Sequence, residues 1–199
     1  AISVGKRGNG PLQELAALKE YAELLEPKIV LWFYHIMNDI EDLENEMESS
    51  LLRKYLNEDD YLQNLFSRQE EIDRVLKNYV QVKWEKERAA NKPIIRILKL
   101  YNLRKRIHLT PKPTPTPTTP TPTSIFKDIL QKSKQMVLNW DGKMYLVYLP
   151  SFKRYSTGSE HPNRNFVMQT AVKLGIPIID IHSKVFDHHQ DPLSLFPFR

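Results

Sequence analysis

Apolar and polar positions alternate between two regimes along this chain, short unbroken apolar runs and stripes at helical spacing. The clearest run is Ile29 to Tyr34, rich in β-branched and aromatic residues and entered just after Pro27. It predicts a strand buried on both faces, as in the interior of a parallel sheet. The run gives way to a polar pair, Asn38-Asp39. That pair falls beyond the carboxyl end of the strand, where open α/β sheets hold their ligands. Upstream, Ala1-Ile-Ser-Val predicts the end of another strand. Glycines at 5, 8 and 10 form a loop, and Pro11 suits the first turn of a helix. Leu12, Leu15, Ala16, Leu18, Ala22 and Leu25 continue that helix up to Glu26. Strand, glycine loop, helix and strand together read as a βαβ unit.

Two helices are expected next, over about 58–88 and 91–107. Leu62, Leu65, Phe66, Ile72, Leu76, Tyr79 and Val80 mark the first; Ile94, Ile95, Leu98, Tyr101 and Leu103 mark the second. Proline and threonine then alternate over 110–123. Such a tract continues neither helix nor sheet and reads as an extended tether. Beyond it the α/β rhythm returns. A helix over 125–139 is capped by Ser124, and the Asp141-Gly142 turn opens a strand over 143–149. A helix over about 163–174 then leads through Gly175 to a strand over 176–181. Strands separated by helices predict a parallel sheet with right-handed crossovers. The expected organisation is an α/β core of 1–43 and 125–199, a helical cap insertion over 44–109, and a Pro-Thr-rich tether over 110–124.

Composition narrows the chemistry. The chain has 199 residues and no cysteine, which excludes disulfides, thiolate metal ligands and a cysteine nucleophile. No apolar run approaches the ~20 residues that span a bilayer. The chain starts at Ala1 without a methionine and in mid-element, which is compatible with an export signal or anchor upstream. The net charge of +5 is unevenly placed. Six acids crowd 39–48, whereas 83–106 holds nine bases against Glu85 and Glu87. Such a basic stretch is most often a solvated helix face, and it is also able to meet nucleic acid or anionic lipid.

The glycine loop has the wrong spacing for a dinucleotide or phosphate-binding loop. Its backbone N–H groups at a helix start can still face an oxyanion, and so can a neutral side-chain amide such as that of Asn38. Asp187-His188-His189-Gln190-Asp191 offers metal-type ligands, but adjacent histidines diverge, and a solvated turn is the expected reading.

Gly8-Asn-Gly-Pro-Leu, the helix, Pro27–Tyr34 and Asn38-Asp39 resemble, in order and spacing, the second and third blocks of the SGNH (GDSL) hydrolases. Lys143–Pro150, Gly175–His182 and Asp191–Pro197 resemble the later strands and the approach to the last block. The resemblance implies a flavodoxin-like parallel sheet and ester chemistry by a serine nucleophile with an Asp–His pair. It implies Gly8 and Asn38 as the oxyanion donors, and no cofactor. Met37 stands where the family's third block has glycine. The Gly-Asp-Ser block is not in this sequence, and the closing block with its histidine would begin beyond Arg199. The chain therefore reads as a fragment of an ester hydrolase, truncated at both ends and inactive alone. Asp180 and His182 are the second choice for a catalytic pair. The implied substrate is an ester, an acylated carbohydrate or lipid being one form, with no nucleic acid partner. A cell-envelope or secreted parent fits. The alternative is a non-catalytic scaffold whose basic stretch 83–106 contacts an anionic partner.

Overall fold

The computed structural model describes residues 1–6, 8–90 and 122–197. The chain divides into two compact units, 1–63 with 119–199 and 64–118. The first unit carries a three-stranded parallel sheet in the order β1-β2-β3, made of Ile29–His35, Lys143–Leu149 and Ile178–Asp180. Ile29 pairs with Lys143 and runs in register to His35 against Leu149; Leu146 pairs with Ile178. The helices are α1 (Pro11–Ala17), α2 (Asp39–Glu46) and α3 (Ser50–Asn57), then α5 (Pro122–Asn139), α6 (Phe152–Thr157), α7 (Arg164–Lys173) and α8 (Ile181–Lys184). A π-helical turn over Leu18–Ala22 extends α1. The second unit, as far as described, holds α4 (Gln69–Ala90). The helix expected over 91–107 and the tether lie outside the described residues, apart from the three residues 122–124, which open α5. The range expected for the insertion, 44–109, includes α3, which belongs to the first unit.

Alternation fixes which side of the sheet is covered. Trp32 and Tyr34 of β1, with Met144, Leu146 and Tyr148 of β2, point to one face. Leu12, Leu15 and Leu18, together with Phe126, Ile129, Leu130 and Val137 of α5, pack there in a single core. Tyr34 lies 5.4 Å from Phe126 and 6.4 Å from Tyr148 between ring centroids. The opposite face is not covered at β1. Leu31 is 47% exposed and Phe33 50% exposed, so the expectation of a strand buried on both faces is corrected. An unbroken apolar run has no period that separates one covered face from two. Ala1–Val4 forms no strand either; these residues are exposed and unpaired in any sheet of the described residues.

Two turns set the strand entries. Trp140 Nε1–H donates to the Pro27 carbonyl at 3.0 Å, tying the approach to β2 to the approach to β1. Gly142 must be glycine here, because a Cβ would sit 2.8 Å from that same carbonyl oxygen. Gly175 has φ +61° and ends α7 in the left-handed conformation. The third strand is shorter than the expected 176–181. Pro177 gives no N–H to a ladder, and its carbonyl accepts from Leu146 at the strand's entrance.

The asymmetry of the sheet has a measurable signature. Phe126→Ala, on the covered face, is expected to cost roughly 3–5 kcal/mol. Phe33→Ala, on the open face, is expected to cost less than about 1 kcal/mol. Urea unfolding of the two variants followed by circular dichroism checks the difference; equal losses would mean that the second face is covered.

Candidate functional site

The carboxyl end of β1 runs straight into the polar pair. Asn38 is the residue before α2, and its carbonyl accepts the Asp42 N–H at 2.7 Å. Its side chain is held at both ends. Asn38 Nδ2 donates to Asp42 Oδ2 at 2.5 Å, and Asn38 Oδ1 lies 2.6 Å from His35 Nδ1. A carboxylate only accepts, so the amide nitrogen must face Asp42 and the amide oxygen must face His35. His35 Nδ1 therefore carries the proton in this arrangement. One of the two Asn38 amide hydrogens is committed to Asp42, which leaves the other for a ligand.

The glycine loop reaches the same helix by another route. Gly8 is exposed with φ +82°, and a Cβ there would meet nothing within 4 Å. Gly10 is buried, and its N–H donates to Glu46 Oε1 at 2.6 Å; the Leu12 N–H donates to Glu46 Oε2 at 2.9 Å. Glu46, at the end of α2, thus occupies the N–H groups at the start of α1. A Cβ on Gly10 would lie 2.8 Å from the Glu46 carboxyl and 2.9 Å from Asp42 Cβ. Both predicted oxyanion donors are consequently tied to one face of α2, Asn38 through Asp42 and the Gly8–Gly10 loop through Glu46. No hydrogen bond among the described residues joins Gly8 to Asn38 directly.

Beneath this face, Asp39 and Glu46 of the acidic stretch 39–48 meet Glu14 of α1, a grouping that the sequence did not single out. Asp39 is 4% exposed and accepts the His35 N–H at 2.8 Å. Burial pushes its carboxyl up to about 7, against the pull of that hydrogen bond, with Asp42 and Glu46 adding repulsion. Burial likewise raises Glu14 well above the usual carboxylate range, helped by the charges of Asp39 and Glu46, and raises Glu46. Among the described residues, the buried Glu14 Oε2 and Tyr34 hydroxyl have no hydrogen-bond partner. Asp39, Asp42 and Glu46 share one face of α2 at helical spacing; what was illegible is that this face is buried and meets Glu14 of α1.

Beside the polar pair lies a shallow cleft of about 210 Å³, lined by Ile36, Met37, Ile40, Glu41, Glu44, His161 and Asn163. Met37 is partly exposed and forms part of its wall. His161 Nδ1 accepts the Asn163 N–H at 3.3 Å.

Asp180 and His182 do not form a dyad. Asp180 Oδ1 accepts the backbone N–H groups of His182 and Ser183 at the start of α8, and Oδ2 pairs with Arg164 Nη2 at 2.6 Å. The His182 ring instead meets Tyr155 Oη at 2.6 Å and Asp187 Oδ1 at 3.2 Å through Nδ1. Burial and the nearby Arg154 lower its pKa. Asp187 and His188 are exposed in a 3₁₀ turn and His189 and Asp191 are exposed in the stretch that follows it, and among the described residues no group of three or more His, Asp or Glu side chains is placed to hold a metal ion.

The raised Asp39 carboxyl makes stability depend on pH in a definite direction. Its folded pKa lies above the unfolded value, so the folded state binds the proton more tightly, and stability falls as pH rises from about 4 to about 7. The loss attributable to Asp39 is on the order of 4 kcal/mol. Asp39→Asn keeps an acceptor for the His35 N–H and is expected to be more stable than the parent at pH 8, with a flatter curve below. Chemical unfolding across that range checks it, and an unchanged slope would contradict it. A second expectation concerns Gly10→Ala, whose Cβ crowds the buried Glu46 carboxyl: a loss of roughly 1–3 kcal/mol in unfolding free energy. Compared with protein families, with curated proteins and with solved structures, the chain matches none.

Proposed function

We propose that this chain is the oxyanion-hole side of a serine ester hydrolase of the SGNH type, built on a flavodoxin-like sheet whose nucleophile and general base come from outside residues 1–199. The observation that carries the reading is Asn38. It is a neutral amide just past a parallel strand, clamped in orientation by His35 and Asp42, with one N–H uncommitted, beside a cleft. A fixed donor needs no reorganisation when charge develops on a tetrahedral intermediate.

Topology supports the same reading. The β1-to-β2 and β2-to-β3 connections advance in one direction, and α5 and α7 lie on one face, as right-handed crossovers require. α1 packs on that face too. A right-handed crossover through α1 into β1 would have to start from a strand on the free-edge side of β1. Helices covering the open face would then belong to connections running the other way. A first strand bearing the serine and a last helix after the histidine would meet both needs. In the proposed reaction the serine hydroxyl, deprotonated by histidine, attacks the ester carbonyl. The oxygen's developing charge is met by the second Asn38 amide hydrogen and by the backbone N–H of Gly8. The acyl-bearing substrate is an ester, with acylated carbohydrate or lipid as the proposed class.

Purified residues 1–199 are expected to show no turnover of a small chromogenic ester. Robust hydrolysis that a serine-directed phosphonate abolishes would sink the fragment reading.

A further inference from the structure

Two arginines meet beyond the carboxyl ends of β2 and β3, at the edge where open α/β sheets hold their ligands. Arg154 comes from α6, which follows β2, and Arg164 opens α7. Both are largely withdrawn from solvent, with side chains 24% and 20% exposed. Arg164 is fixed from two sides. Its Nη2 donates to Asp180 Oδ2 at 2.6 Å, and its Cζ lies 5.3 Å from the centroid of the buried Tyr148 ring. Glu160 lies between the two arginines, and its fit is incomplete. Glu160 Oε1 accepts from Arg154 Nη1 at 2.7 Å but stays 3.6 Å from Arg164 Nε. That Nε is buried and has no hydrogen-bond partner among the described residues. A buried donor left unmade costs free energy, so its presence here calls for an explanation.

We propose that Arg154 and Arg164 bind the carboxylate of a small acidic ligand, and that Glu160 occupies their site in its absence. The asymmetry of exposure carries this reading. The cations are built into the first unit, whereas the Glu160 side chain is 50% exposed, on the exposed stretch 158–160 after the end of α6. The Arg154 hydrogen bond holds the Glu160 carboxyl below the usual carboxylate range, so a full negative charge sits there at neutral pH. A free carboxylate replaces that charge one for one. Without a tether, it can also reach Arg154 Nη1 and Arg164 Nε together. Charge sets the class of ligand. Asp180 already faces Arg164, and Asp187 lies 3.2 Å from His182 Nδ1. Burial and Arg154 lower the His182 pKa, so that ring brings no third cation at neutral pH. A phosphate of nearly two charges would add repulsion from these acids that a monoanion avoids. The connection that carries Glu160 also places His161 and Asn163 in the wall of the cleft beside Asn38. The site rests on its own contacts and does not depend on the hydrolase reading.

The test titrates the whole 199-residue chain, isotopically labelled, with sodium acetate and follows the arginine Nε–H resonances. Sodium chloride at equal ionic strength is the control. Glu160→Gln removes the resident charge and keeps the shape. In it, Arg154 and Arg164 should show saturable shifts at an acetate concentration at least about tenfold lower than in the unaltered chain, whose tethered Glu160 competes. Acetamide, the neutral counterpart, should shift neither resonance. Arg154→Gln added to Glu160→Gln should abolish saturation while Arg164 stays paired with Asp180. In the unaltered chain, excess acetate should move the Glu160 carboxyl carbon resonance, a readout that needs no variant. The proposal is overturned if Glu160→Gln shows no saturable response beyond that to chloride, if it and the unaltered chain respond at the same concentration, or if acetamide acts as acetate does. Tighter binding of inorganic phosphate than of acetate would also overturn it and assign the arginines to phosphate.

Discussion

Two crossovers that advance in the same direction across a parallel sheet must place their helices on the same side, and the first unit is organised by that constraint. It determines that Trp32, Tyr34, Leu146 and Tyr148 are covered by α1, α5 and α7, while Leu31 and Phe33 on the other side of the same strand are not. It also brings every strand out at one edge. Asn38, the 36–41 segment, the 161–163 loop and the start of α8 all lie just past strand ends, and the polar chemistry of the unit is concentrated there. The covered face holds the core, and the carboxyl edge holds the polar side chains.

At that edge, stabilising contacts and candidate chemistry use the same side chains. Glu46 satisfies the N–H groups at the start of α1, which a ligand would otherwise find free, and it does so from within an acidic group whose members repel one another. Asp42 orients Asn38 and also crowds Gly10. The arrangement is costly to bury; Asp39, Asp42 and Glu46 each have a backbone or amide donor in return, whereas Glu14 Oε2 has none among the described residues. A second buried polar knot does the same away from the sheet edge. The Glu20 carboxylate, on the π-helical turn, accepts from the Tyr55 hydroxyl and the Gln63 N–H, and Lys19 donates to the carbonyls of Glu58 and Asp59. That knot fixes the last stretch of the first unit before Asn64.

Strong local signals were the legible part. The Asp141-Gly142 turn, the bounds of Lys143–Leu149 and the stop of α7 at Gly175 each follow from a few adjacent residues, and so does the position of Asn38 at the end of an apolar strand. What the sequence hid was relational. Whether Phe33 is covered depends on which side the helices take, and the run Ile29–Tyr34 carries no period that reports it. The grip of Glu46 on Gly10 spans 36 residues, and the partners of His182 lie on α6 and in a 3₁₀ turn. Asp180 is a common sort of helix-capping residue, and its nearness to His182 in sequence suggested a pairing that the local backbone instead satisfies.

The bond from Trp140 to the Pro27 carbonyl joins residues 113 apart, and β1 meets β2 across a span one residue longer. The sheet's other half is local: β2, α6, α7 and β3 are contiguous, and Phe152, Tyr155, Phe186 and Phe196 close a ring cluster behind them. Loop-closure entropy grows only slowly with length, yet it must be met before β1 gains anything from pairing. Pairing of β1 with β2 therefore carries the long closure and pairing of β2 with β3 the short one, so shortening the segment between α3 and α5 would act on the first pairing and leave the second unchanged.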